Sequence, residues 1–262
     1  MTANPGRFAS SRRLLRPLFP LAFLLLLQFL IAAAPNPDRL AAAEALLKSP
    51  TLDFPQALQA RALYEEELAS APGPAGLLAR LARVNFILGD LAATGQRENF
   101  YHSGLTAAER LAREQPGNVA GPYWTALNLC GLAAAGGPLQ GRKLLPRILE
   151  NLHRALALDE TYDQAGAHRV LGRIYFEAPR WPLSVGDLQK SRRHLEAAVR
   201  LAPDVSTNHL YLAETLLKLN DRSQARRELE QVLTATRHAI QPRGLQEDQQ
   251  EARRLLEEFK VK

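Results

Sequence analysis

Apolar positions along this chain recur at helical spacing, and the helical stretches themselves recur. Four segments align: RVNFILGDLA (83–92), TALNLCGLAA (125–134), HRVLGRIYFE (168–177) and HLYLAETLLK (209–218). Each sets large apolar residues at helical intervals around one small slot, filled by Gly89, Gly131, Gly172 and Ala213. The large residues then share one helical face, and the small slot lets a neighbouring helix approach closely. The slots step by 42, 41 and 41 residues. A second phrase interleaves with the first, and its turn residues Pro72, Pro116, Glu160 and Pro203 step by 44, 44 and 43. Self-similarity at this period predicts a stacked array of helical pairs. The chain has no alternating Val/Ile/Thr-rich runs, so strands are not expected.

Each unit reads as helix A followed by helix B. Unit four has Ala213 and Leu216 on helix A, then Ala225, Leu229 and Val232 on helix B. Unit three has Ser191, Leu195 and Ala198 on helix B, and Pro203 ends it because proline cannot continue the hydrogen-bond ladder. This is the pattern of the tetratricopeptide repeat. The first three units are longer than a compact repeat. The excess reads as insertions between the two helices: GDLAATGQRENF (89–100), GGPLQG (136–141) and EAPRWPLSVGD (177–187). A weaker helical pair precedes the array, in DRLAAAEALL (38–47) and FPQALQARALYEEELASAP (54–72). At the other end Leu245, Ala252, Leu255, Leu256 and Phe259 form one apolar stripe, as a capping helix requires. The expected fold is all-α, a tetratricopeptide-type helical-hairpin solenoid with a C-terminal capping helix. Its expected divisions are 1–34, a leader; 35–74, the first pair; 75–236, the array; and 237–262, the cap.

Residues 1–34 have the order of an export signal. Arg7, Arg12, Arg13 and Arg16 precede the apolar run LFPLAFLLLLQFLIAAA (18–34). The basic flank stays cytoplasmic, so the remainder of the chain is expected in the periplasm. Two outcomes stay open: removal near Ala32-Ala33-Ala34, or retention as an inner-membrane anchor by a run nearly long enough to span. No cysteine comes after the run until Cys130, so bacterial lipoprotein anchoring is not expected.

Charge changes the picture little. The net charge is +6, but without the four leader arginines 29 basic residues face 27 acidic ones. A near-balanced array has no run suited to tracking phosphates, so nucleic acid is not an expected partner. The lone Cys130 cannot form an internal disulfide, and no cysteine cluster exists to bind metal. His102, His153, His168, His194, His209 and His238 show no ligand spacing. Neither a nucleophile elbow nor a phosphate loop nor a paired-carboxylate motif occurs. No enzyme activity and no cofactor are expected.

Solenoids of this kind bind partners on the concave face lined by helices A. The positions pointing there are expected to include Asn128, Arg169, Arg173, Glu214 and Lys218. Arg169 and Arg173 lie one turn apart, a spacing suited to gripping a carboxylate. Trp181, between Pro179 and Pro182, is a candidate loop contact. Tyr123 and Trp124 open a helix A at positions that suit core packing.

Several blocks together resemble one bacterial family: HRVLGRIYFEAPRWPLSVGDLQKSRRHLEAAVRLAPD (168–204), GPYWTALNLCG (121–131), ILENLHRALALDETYD (148–163) and FYHSGLTAAERL (100–111). The family is the tetratricopeptide T-component protein associated with tripartite ATP-independent periplasmic (TRAP) transporters. The resemblance covers roughly residues 75–235. It implies an exported, non-enzymatic binding scaffold that can self-associate, with a pore-like apolar cavity able to hold an apolar ligand. Its implied protein partner is the transporter's periplasmic solute-binding subunit. Two alternative functions are an envelope-assembly adaptor unrelated to transport and a carrier of apolar small molecules.

Overall fold

A computed structural model describes Met1, Thr2 and residues 36–70, 75–180, 182–242 and 244–259. The expectations placed on the leader and on Trp181 fall outside these residues. Eleven α-helices and no strand are formed among the described residues. They are α1 (Pro37–Leu47), α2 (Phe54–Ser70), α3 (Ala75–Leu91), α4 (Arg97–Glu114), α5 (Ala120–Ala135), α6 (Gly137–Leu158), α7 (Tyr162–Glu177), α8 (Leu188–Leu201), α9 (Ser206–Lys218), α10 (Arg222–Thr234) and α11 (Gly244–Glu257). Consecutive helices pack against each other, and α3, α5, α7 and α9 also touch in series, so the A helices form a layer of their own. The fold is the all-α helical-hairpin solenoid that the repeat predicts.

Local chemistry sets the ends of several helices. Asn36 caps α1 by accepting from the N–H groups of Asp38 and Arg39, and Pro37 stands where no N–H is needed. Asp187 caps α8 through Gln189 and Lys190, and Asp221 caps α10 through Gln224. Asn220, at φ 63°, ends α9 in the left-handed conformation, and Asn tolerates this better than most residues.

The small slots have a direct steric cause. The Tyr101 ring on α4 lies between Gly89 on α3 and Gly131 on α5, and a Cβ on either glycine would collide with it. Its hydroxyl donates to Asp90 at 2.7 Å. Gly172 makes the same room for Leu195, and Ala213 is wholly buried. Helix B side chains thus enter notches in helix A, and the period of the notches is the period seen in the sequence.

The expected insertions divide into three cases. In unit one α3 runs on through Leu91, and only a short connector with a 3-10 turn (Thr94–Gln96) precedes α4. In unit two GGPLQG is not a loop. Gly136 caps α5, Gly137 takes φ 75°, and α6 begins there, so the extra length is helix, with Pro146 inside it. Unit three does carry a loop. It is closed by the Gly186 N–H donating to the Pro179 carbonyl at 2.9 Å, and the Asp187 N–H donates to Tyr175 O at 2.9 Å. The chain passes so close to Ala178 and Pro179 that a Cβ at Gly186 has no space.

Beyond α10 the chain does not pass directly into the capping helix. Residues 235–242 cross first, as a strap. Arg237 O accepts from Ser206 N at 2.9 Å, and Ile240 packs on clusters built from both the N-terminal helices and the middle of the array. The cap α11 then buries Ala252 and Leu255 against Leu210, Leu229 and Val232.

Candidate functional site

The start of α7 holds the least ordinary backbone in the described chain. Asp163, Gln164 and Ala165 all take left-handed conformations, at φ 49°, 59° and 60°. None is glycine, and each such residue costs about 1–2 kcal/mol. Arg169, one turn further on, staples the turn. Its guanidinium donates to Gln164 O (3.1 Å), Asp163 O (3.4 Å) and the Asp163 carboxylate (3.3 Å), and also to Asn208 Oδ1 (3.3 Å). Tyr123 donates to the same carboxylate at 2.5 Å. Gly166 is needed because a Cβ there would strike the Tyr123 hydroxyl. Burial pushes the Asp163 carboxyl above its ordinary value, against the opposing pull of Arg169, and burial likewise raises the Tyr123 phenol far above its own. Strain held by this many contacts is a feature of functional sites.

Beside this turn lies a cavity of about 750 Å³. Its walls come from remote parts of the chain: Leu47 and Lys48 at the end of α1, Arg80 and Arg83 on α3, Trp124 on α5, Tyr162, Asp163 and Gln164 at the turn, and the strap from Thr236 to Pro242. The Trp124 indole donates to the Tyr162 hydroxyl at 3.1 Å. Glu44 accepts from Tyr64 (2.8 Å) and Arg80 (3.1 Å), with Arg83 at 3.5 Å. Burial acts to raise its pKa, but these three partners together outweigh burial and hold the carboxyl below its ordinary range. The strap wall is fixed by His238, whose Nδ1 accepts from Ile240 N (3.1 Å) and Gln241 N (3.0 Å).

The residues expected on the concave face divide into two groups. Asn128 is wholly buried, donating to Trp124 O (2.8 Å) and Ala82 O (3.3 Å) beneath Gly104. Arg169 is 3% exposed and serves the turn. These two therefore do not face an open surface: each satisfies neighbouring backbone or carboxylate groups inside the array. Arg173, Glu214 and Lys218 are brought together on α7 and α9. Arg173 pairs with Glu214 and Glu177 and lies over the rings of Tyr211 (4.5 Å) and Phe176 (5.0 Å). Lys218 also lies over the Phe176 ring, 3.7 Å from its centroid. Tyr123 and Trp124 are core residues, as their positions suggest, and Trp124 also reaches the cavity wall.

The family resemblance implies a cavity, but sequence reasoning did not find its lining. The lining is spread from residue 47 to residue 245 with no local motif. The signals were Trp124 and Tyr162-Asp163, each inside a block already singled out. His168 and His194 meet Nδ1 to Nδ1 at 3.0 Å, and burial followed by the neighbouring His168 and His153 pushes His194 down to about 4. Burial pushes the Cys130 thiol up to about 12, which disfavours the reactive thiolate. Among the described residues no group of three or more His, Cys, Asp or Glu could hold a metal ion. No described helix is long and apolar enough to cross a membrane.

Comparison with known proteins agrees with the helical-hairpin fold. The family model of the TRAP transporter T-component matches residues 22–260. The chain belongs to that family. T-component residues in this chain thus include nearly all of the array, the strap and the cap. A thermophilic tetratricopeptide-repeat protein of Thermus thermophilus is similar in structure, with a TM-score of 0.62 and 19% identity over 82% of this chain and 97% of that one. At that identity the likeness concerns the fold alone. None of the curated proteins matches this T-component in sequence. Family and fold are both non-catalytic kinds of protein, and the family associates the chain with a TRAP transporter of the cell envelope.

Proposed function

We propose that this T-component is an exported, periplasmic scaffold that holds the solute-binding subunit of its TRAP transporter. The observation that carries the reading is the family match across residues 22–260, on an array whose fold serves protein binding. The face we assign to the partner is the cluster of Arg173, Glu177, Glu214 and Lys218 around Phe176 and Tyr211. It is charge-balanced, with Arg173, Phe176, Tyr211 and Glu214 half-buried and Glu177 and Lys218 exposed, and rich in the residue types that anchor interfaces.

Affinity capture of the full chain from cross-linked envelope tests this. Recovery of a TRAP solute-binding protein supports the proposal. Recovery of outer-membrane or cell-wall machinery without any solute-binding protein would replace it with an envelope-assembly adaptor.

A further inference from the structure

We infer that the edge of the array where helix A turns into helix B, in units two and three, docks on the surface of a membrane that carries anionic phospholipid. This goes beyond the protein partner assigned above and does not depend on it.

Exposed apolar side chains are the first observation. Among the described residues of the array, the two most exposed large apolar side chains are Leu139, at 67%, and Leu183, at 79%. They occupy corresponding places. Leu139 is in the first turn of α6, just after α5 ends, and Leu183 lies in the loop between α7 and α8. Helices α5 and α7 touch as successive A helices, so both turns open on one edge of the solenoid. Leucine held in water is unfavourable, and entry into the boundary between headgroups and acyl chains relieves it.

Charge is the second observation. The segments around the two leucines, 136–149 and 178–186, contain four cations, Arg142, Lys143, Arg147 and Arg180, and no acidic residue. Arg147 is answered by Glu109 on α4. Arg142, Lys143 and Arg180 are exposed and make no ion pair with a described residue. Glu150 stands two turns beyond Lys143, Glu177 pairs with Arg173, and Asp187 caps α8, so none of these acids is paired with the three. Leucine set beside long cations suits a bilayer boundary. The leucine enters the apolar layer, while the Arg and Lys stems lie along it and keep their charges at the phosphates. A protein partner needs a continuous, closely packed patch, whereas these two leucines stand on separate turns. The apolar run at 18–34 also delivers an exported chain to a membrane in the first place.

The test uses residues 35–262, so that the leader's own apolar run does not hold the protein on lipid. These residues form one compact unit that contains all the core clusters of the described chain, and so fold without the leader. Co-sedimentation is measured with vesicles of equal parts phosphatidylglycerol and phosphatidylcholine, and with phosphatidylcholine alone. We expect at least about tenfold tighter binding to the anionic vesicles, weakened by salt. Arg142→Gln with Lys143→Gln weakens it about tenfold or more, at roughly fivefold for each cation lost. Arg113→Gln with Arg200→Gln removes the same charge near the C-terminal ends of α4 and α8, on the opposite edge, and changes binding less than about threefold. Leu139→Ser with Leu183→Ser weakens binding at least about threefold and leaves its salt dependence in place. All six side chains are exposed, so every variant keeps native circular dichroism. Equal binding to both kinds of vesicle, or equal weakening by the two cation pairs, overturns the inference. So does no sedimentation at millimolar lipid, which would leave this edge to an acidic protein surface.

Discussion

Replacing Arg169 by Met removes the staple of the left-handed turn while keeping an apolar stem of similar length. The wild-type guanidinium is almost wholly buried and makes four hydrogen bonds of 3.4 Å or shorter, two of them to backbone carbonyls inside the turn. Without it the Asp163 carboxylate keeps the Tyr123 hydroxyl as its side-chain hydrogen bond, with Arg83 acting at longer range. Breaking a buried pair on one side costs about 3–5 kcal/mol. The Asp163 side chain keeps 21% of its surface exposed, so water relieves part of this, and we expect about 2–4 kcal/mol at pH 7.5. The pH dependence follows from the direction of the Asp163 shift. Its folded-state value is already raised by burial, and removing the cation raises it further. A carboxyl raised on folding favours the folded state at low pH and loses that contribution as pH rises through its folded value. The cost of Arg169→Met is therefore largest at neutral pH and shrinks as Asp163 takes up a proton. Urea unfolding by circular dichroism at pH 7.5 and 5 measures both values, and Asp163→Asn in the same background should recover part of the loss. A cost below about 1 kcal/mol, or one with no pH dependence and no rescue, refutes this account of the turn.

Two further perturbations probe the array. Gly131→Ala drives a Cβ into the Tyr101 ring, and overpacking of this kind costs about 1–3 kcal/mol despite alanine's better helix propensity. A raised urea midpoint would show that the notch is not tight. His194 is held down to about 4 by burial first and by its histidine neighbours second, so its contribution is present above pH 6.5 and lost as pH falls toward 4. After allowing for its partial exposure we expect about 1–2 kcal/mol over that window, removed by His194→Gln. An NMR titration placing His194 near 6.5 contradicts the reading.

The parts legible in the sequence were those repeated along it. Gly89, Gly131, Gly172 and Ala213 exposed the period because each unit solves the same packing problem, a helix B side chain entering helix A. The unit-two segment departs from the loop expected of it because GGPLQG has turn-forming composition, yet Gly137 turns the chain once and the remainder propagates as helix through Pro146. The concave-face residues are placed by counting from the small slots. Counting fixes the face of the helix but not what covers it, and Asn128 and Arg169, each three residues before its slot, are covered by Gly104 and by the Asp163–Ala165 turn. The cavity is illegible for a different reason. It is made where the strap returns to the first helices, and a cavity walled by residues as distant as 48 and 240 leaves no local pattern.

The most direct test of the scaffold reading is a titration of the purified full chain with the solute-binding subunit of its own TRAP transporter. The account predicts saturable binding, weakened at least about tenfold by the double charge reversal Arg173→Glu and Lys218→Glu, with helical content unchanged. No binding at micromolar concentrations, or binding that this variant leaves intact, would contradict it.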